Sequence, residues 1–188
     1  MKKILRNLKS KALKDNIPIL SDEGIELIIN EIKKRNLKSM LEIGTAVGYS
    51  SIILAQHLSF ITTLERNEDL HKKALKNIKE YQKTNIEAVL VDAHDYKPSR
   101  YYDLIFIDAA KAQYEKFFIK YKDFLTSEGI IICDNLNFHN LDINKVSRGT
   151  RSLIKKIESF KIFLKENKEF ETEFYNIGDG LSVSWRRK

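Results

Sequence analysis

After residue 38 the hydrophobic pattern of this chain switches period repeatedly, and that alternation limits the folds open to it. SMLEIG reads as a strand, YSSIILAQHL as a helix, FITTLE as a strand and NEDLHKKALKNIKEYQ as a helix. IEAVLVDA and YDLIFIDA are strands, KAQYEKFFIKYKDFL is a helix, GIIICDN a strand, and TRSLIKKIESFKIFLKEN a helix. Strands alternating with helices predict a parallel sheet covered on both faces. LIFI and IIIC are nearly unbroken apolar runs, as central strands buried on both sides require. The end differs: FETEFYN and LSVSWRR flank the turn-forming IGDG. That pattern predicts a hairpin, so at least one late strand is antiparallel.

Ahead of the alternation stand two helical stretches, a basic one over 2–14 and a second over about 22–36, where Ile25, Ile28, Ile29 and Ile32 recur at helical spacing. With 188 residues, 43% of them hydrophobic, and no repeat or low-complexity linker, the chain is expected to form a single domain over 1–188, helices over 1–36 and the core over 37–188. The one cysteine, Cys133, excludes an internal disulfide and fits a reducing, cytoplasmic setting. No apolar run reaches the roughly 18 residues of a membrane span, and the lysine-studded start does not read as a signal peptide. The formal charge of +7 favours polyanions such as nucleic acid, although solvated lysines without a partner give the same sum.

LEIGTAVGYSSIILAQHL, residues 41 to 58, passes from strand to helix through Gly44 and Gly48. A strand, a glycine turn and a helix form the entry to a nucleotide-like site in an open α/β sheet. The spacing is E-x-G-x-x-x-G, looser than the G-x-G-x-x-G that aims a helix at a pyrophosphate, which argues against a dinucleotide-dependent dehydrogenase. Glu65 ends the second strand, where an acid can accept hydrogen bonds from both ribose hydroxyls. Asp92, Ala93 and His94 end the third, where an adenine could rest. Together these are stations for S-adenosylmethionine. A plain turn at Gly44, a helix-start acid at Glu65 and a supporting role for Glu42 are the alternatives.

Asp108 ends the fourth strand, and Asp134 and Asn135 end the fifth. Neighbouring parallel strands deliver their carboxyl ends to one crevice. Two carboxylates and a carboxamide there are the few hard oxygen donors that suit Mg²⁺. Taken singly, Asp108 could cap a helix and Asp134-Asn135 could form an Asx turn. Lys111, three residues past Asp108, could reach the same place. A nearby dication would favour its neutral form, able to take a proton from a hydroxyl; a solvated surface lysine is the other reading.

EIGTAVGYS, LER, DAHD, IDAAKAQY and CDN, in that order, resemble the divalent-metal-dependent O-methyltransferases of the catechol and caffeoyl-coenzyme-A type. The resemblance covers roughly residues 17 to 186. It implies the seven-stranded class I methyltransferase sheet, Rossmann-like and mostly parallel, with an antiparallel last strand. It implies metal ligation (Mg²⁺ or Mn²⁺) by Asp108, Asp134 and Asn135 and a general base at Lys111. Cofactor contacts fall on Glu42, Gly44, Ser50, Glu65, Ala93, His94 and Asp108, and a homodimer is implied. The tail from Ser147 resembles the bacterial branch that methylates 5-hydroxyuridine at the tRNA wobble position to 5-methoxyuridine. Arg148, Arg151 and Lys155 fit one helix face that could meet the phosphates of a tRNA anticodon region. LNFHNLDINK, after Asp134-Asn135, matches no family motif and is expected to line the substrate entrance. A small-molecule O-methyltransferase would share every catalytic residue. A catalytically silent RNA-binding protein would have no use for the intact Asp108, Lys111, Asp134 and Asn135.

Overall fold

The computed structural model describes residues 2–137 and 146–188, with side chains from residue 7 onward. Seven strands form one sheet in the order β3-β2-β1-β4-β5-β7-β6. They are β1 (Ser39–Ile43), β2 (Phe60–Glu65), β3 (Ile86–Leu90), β4 (Tyr102–Ile107), β5 (Leu125–Cys133), β6 (Phe170–Tyr175) and β7 (Leu181–Arg186). The first five are parallel; β7 runs antiparallel between β5 and β6. This is the mostly parallel sheet with a late antiparallel strand that the period switching predicts.

Among the described residues six α-helices cover the sheet: α1 (Lys2–Lys14), α2 (Asp22–Arg35), α3 (Tyr49–Leu54), α4 (Glu68–Glu80), α5 (Tyr114–Tyr121) and α6 (Arg148–Lys165). Local chemistry sets their ends. Ser21 caps α2 by accepting the Gly24 N–H at 3.0 Å, Asp22 and Glu23 follow in the first turn, and Lys33, Lys34 and Arg35 sit in the last. Asn67 and Ser147 cap α4 and α6 in the same way. The alternate residues of the central strands separate into two cores. Met40, Leu104, Phe106, Ile130 and Ile132 face α1 to α4, while Leu41, Ile43, Ile105, Ile107 and Ile131 face α5 and α6.

Three boundaries differ from the sequence pattern. The stretch 111–125 is not one helix: a 3₁₀ turn (Lys111–Gln113) precedes α5 and another (Lys122–Phe124) follows it. α3 stops at Leu54, short of Leu58. β5 begins at Leu125, because a register shift against β4 lets the chain stay extended through Gly129. A side chain at Gly129 would meet the Asp103 carbonyl oxygen at 2.8 Å. Among the described residues no helix is long and apolar enough to cross a membrane.

The sheet order turns back between β1 and β4, since β2 and β3 lie to one side and β5 to the other. At such a switch point the loops after the two strands diverge and leave a crevice at their carboxyl ends. Gly44 and Asp108 are the first residues past the ends of β1 and β4.

Candidate active site

The glycine loop is held from below by a buried carboxylate. Glu42 is fully buried, and its two oxygens accept hydrogen bonds from the hydroxyls of Ser50, Ser51 and Thr63. Burial pushes its carboxyl up, and the three hydroxyl donors oppose that rise. Above it, Glu65 accepts the Ala46 N–H at 2.8 Å and the Asn67 N–H at 2.9 Å. Ala46 is held at φ 46° and Gly48 at φ 80°. At Gly44, φ is 106° and an added Cβ would lie 2.0 Å from the Asp108 carbonyl oxygen. The close approach that leaves no room for a side chain is therefore made first of all to the neighbouring strand.

Two cavities open on this loop. The first, about 270 Å³, is lined by Gly44, Glu65, Asp92, Ala93, His94 and Gln113, among others. Phe117 closes one wall, its ring centroid 4.8 Å from that of His94. Asp92 accepts the His94 N–H at 2.8 Å, which holds its carboxyl below the usual range. The Tyr121 hydroxyl donates to the Ala93 carbonyl at 2.6 Å, fixing the backbone beneath the cavity.

The second cavity, about 370 Å³, contains Asp108, Lys111, Asp134 and Asn135. The two cavities share Gly44, Glu65 and Ala109 as a common wall. Asn135, at φ 62°, turns its amide nitrogen to Asp108 at 3.2 Å and Asp134 at 2.9 Å. Burial pushes both carboxyls up, to about 7. Glu42 and Asp179 contribute to that rise at Asp108, Asp108 and Asp179 contribute to it at Asp134, and Lys111 opposes it at both.

Among the described residues no group of three His, Cys, Asp or Glu side chains is placed to hold a metal ion. The donor set here is instead two carboxylates and a carboxamide. It fits a hard dication: the negative charge is desolvated and bridged by a neutral amide, and the amide's oxygen faces the carboxylates if the group flips.

The residues expected at the cofactor therefore divide. Gly44, Glu65, Ala93 and His94 line the first cavity and Asp108 the second. Glu42 and Ser50 line neither; they are buried under the loop and support it. Arg148, Arg151 and Lys155 are exposed on α6. Of the loop expected at the substrate entrance, 138–145 lies outside the described residues.

The sequence pattern missed part of the second cavity's wall. Pro18, Ile19 and Ser21 come from the α1–α2 connection, and Gly178 and Asp179 from the β6–β7 turn. That turn is tied to the end of β5, where the Leu136 and Asn137 N–H groups donate to the Gly180 and Asp179 carbonyls at 2.9 and 2.7 Å. IGDG carried a signal for a turn but none for its position at the site.

The family model described as O-methyltransferase matches residues 1–187. A Staphylococcus aureus structure, provisionally named a caffeoyl-CoA O-methyltransferase, is 35% identical with a TM-score of 0.92, over 97% of this chain and 92% of that one. A Bacillus cereus O-methyltransferase solved in complex with SAH has the same fold: 23% identity, TM-score 0.84, over 98% of this chain and 91% of that one. A Thermoplasma volcanium protein provisionally named a decarboxylating cobalt-precorrin-6B C(15)-methyltransferase is 30% identical over 132 residues, 68% of this chain and 66% of its own length. The chain spans roughly half to two thirds of the length of the curated relatives it matches.

Proposed function

This chain belongs to the O-methyltransferase family, and we propose that it moves the methyl group of S-adenosylmethionine to an acidic hydroxyl, that of 5-hydroxyuridine at the tRNA wobble position. One observation carries the transfer: a cavity with an acid and a flat apolar wall shares the Gly44–Glu65–Ala109 wall with a cavity of oxygen donors and a lysine. A donor in one and an acceptor in the other would meet across that wall.

In this reading the first cavity takes the cofactor. Each Glu65 oxygen already accepts one backbone N–H, and each keeps a lone pair for a ribose hydroxyl. The His94–Phe117 wall suits the face of an adenine. In the second cavity Asp108, Asp134 and Asn135 would hold Mg²⁺ or Mn²⁺, which would lower the pKa of an acceptor hydroxyl. Lys111 Nζ takes the hydroxyl proton as the oxygen attacks the methyl carbon. The O–CH₃ bond forms as the C–S bond breaks, and the sulfonium leaves as a neutral thioether. Glu65 and the buried Glu42 keep the loop, and with it the sulfonium, in place for in-line attack.

The RNA substrate draws support from the formal charge of +7 and from the exposed Arg148, Arg151 and Lys155 on one face of α6. A small-molecule acceptor is the second reading, favoured by the name of the Staphylococcus aureus relative. The deciding experiment presents hydroxyuridine-bearing tRNA and a simple catechol side by side, with labelled S-adenosylmethionine and Mg²⁺. The expected result is methylated tRNA and a slow or absent catechol reaction. Turnover of catechol with none of tRNA would overturn the RNA substrate and leave the methyltransferase reading standing.

A further inference from the structure

On the far side of the β6–β7 turn lies another groove, of about 340 Å³. Lys161 and Lys165 of α6, Phe174 of the edge strand β6, Asn176 of the turn and Asn137 line it. The turn is a partition: Gly178 and Asp179 face the acceptor cavity, while Asn176 and Gly180 face the groove. Phe174 leaves 38% of its surface exposed, and Lys165 Nζ stands 5.7 Å from its ring centroid. The Asn137 amide donates to Asn176 at 2.8 Å and accepts from Lys161 at 3.3 Å. Lys161 also pairs with Glu158 at 3.0 Å.

We propose that this groove holds a nucleotide of single-stranded RNA next to the one offered to the acceptor cavity, its base stacked on Phe174 and its phosphate between Lys161 and Lys165. The inference rests on the RNA reading above and gives that substrate a second point of attachment. An exposed ring beside paired cations is the combination by which single strands are bound, since every base offers a π-face and every link a phosphate. A single hydrogen bond joins Asn137 to Asn176, and both amides can re-pair with a base edge. Glu158 offsets part of the Lys161 charge, so a lone anion gains little here, whereas a ligand with both ring and phosphate gains from each wall. The partition explains why the neighbour of the reacting nucleotide, rather than a distant one, would reach it.

Binding of a short fluorescein-labelled single-stranded oligoribonucleotide, followed by anisotropy, tests this. Phe174→Ala should weaken binding by roughly 5- to 150-fold, the loss of one stacked base, and Phe174→Trp should retain it. Lys161→Ser with Lys165→Ser should flatten the log–log salt dependence by about 1.4, two phosphate contacts' worth on a single strand. Thermal melts establish that each variant is folded. If the unaltered protein binds the RNA and these variants bind it equally well, the groove assignment is wrong and the RNA reading stands. If the unaltered protein does not bind RNA, both fall. If coenzyme A binds instead and the same variants lose it, the groove serves a small-molecule acceptor and the proposal is overturned.

Discussion

Replacing Gly44 by alanine should cripple the site without removing a single functional side chain. The new Cβ would lie 2.0 Å from the Asp108 carbonyl oxygen and 2.8 Å from its carbon, whereas Cβ atoms essentially never come within 3.0 Å of such neighbours. The ends of β1 and β4 must then part by about 1 Å. A φ of 106° adds backbone strain of about 1–3 kcal/mol, and forcing a methyl into packed backbone adds about 1–3 kcal/mol more. At roughly 2–4 °C per kcal/mol for a chain of this size, Tm should fall by roughly 5–20 °C. The catalytic loss should exceed what stability explains. Asp108 is carried by the backbone that moves, and a displacement of about 1 Å at a reacting centre costs on the order of 100-fold in rate. Gly48→Ala is the control. There φ is 80° but the nearest atom stands 3.6 Å from the added Cβ, so strain of about 1–2 kcal/mol arises without displacing Asp108. Melting curves and single-turnover methyl transfer on the two variants check this. A Gly44→Ala protein that melts and turns over like the wild type would refute the idea that the β1–β4 contact sets the site.

Glu65→Ala should weaken S-adenosylmethionine binding in calorimetry by about 1–3 kcal/mol, because a charged acceptor is lost and the Ala46 N–H is left without its partner; unchanged affinity would take Glu65 out of the cofactor site. A chelator should abolish methyl transfer and added Mg²⁺ or Mn²⁺ restore it, whereas full activity in chelator would end the case for a metal at Asp108, Asp134 and Asn135. In chelator, stability should fall between about pH 4 and pH 7 relative to an Asp108→Asn, Asp134→Asn variant. Both carboxyls are raised from 3.8 to about 7, so across that window the folded chain holds protons the unfolded chain has released; a stability relative to the variant that rose with pH would contradict the desolvated pair. Reversing the charge of Arg148 and Arg151 should weaken tRNA binding and flatten its salt dependence while leaving S-adenosylmethionine affinity alone, and an unchanged slope would exclude that face of α6.

The walls of the first cavity were legible because they follow the order of the strands. Glu65, the Asp92–His94 segment, Asp108 and Asp134 each end an apolar run, and parallel topology brings such ends to one edge. Glu42 lies outside the lining of both cavities for a reason equally physical. Side chains alternate along β1, and a residue two positions before the loop points where Ser50, Ser51 and Thr63 fold over it, out of reach of either cavity. Nothing in a one-dimensional pattern reports which of two acids near a loop will be roofed by hydroxyls. Gly44 was legible as a close approach, but its partner was hidden, since the Asp108 carbonyl becomes its neighbour only when β4 docks beside β1.

The second cavity is written differently. Its wall draws on the α1–α2 connection, the ends of β4 and β5, and a hairpin turn more than 100 residues beyond the first of these. The turn reaches the site because β6 runs in the direction of the first five strands and carries the chain to the carboxyl edge, from which the antiparallel β7 leads away. There Gly178, at φ 52°, packs so tightly that an added Cβ would meet the Ser21 Oγ at 2.5 Å. The same serine caps α2, so the turn, the cap and the cavity wall are one contact. On the proposed reading, substrate choice in such a scaffold can therefore change through the turn or the α1–α2 connection while the strand ends around the first cavity stay as they are. The position of the Phe174 groove just across that turn follows the same logic. A second nucleotide subsite needs no new element in the sheet, only side chains on the outer flank of a turn that already borders the acceptor.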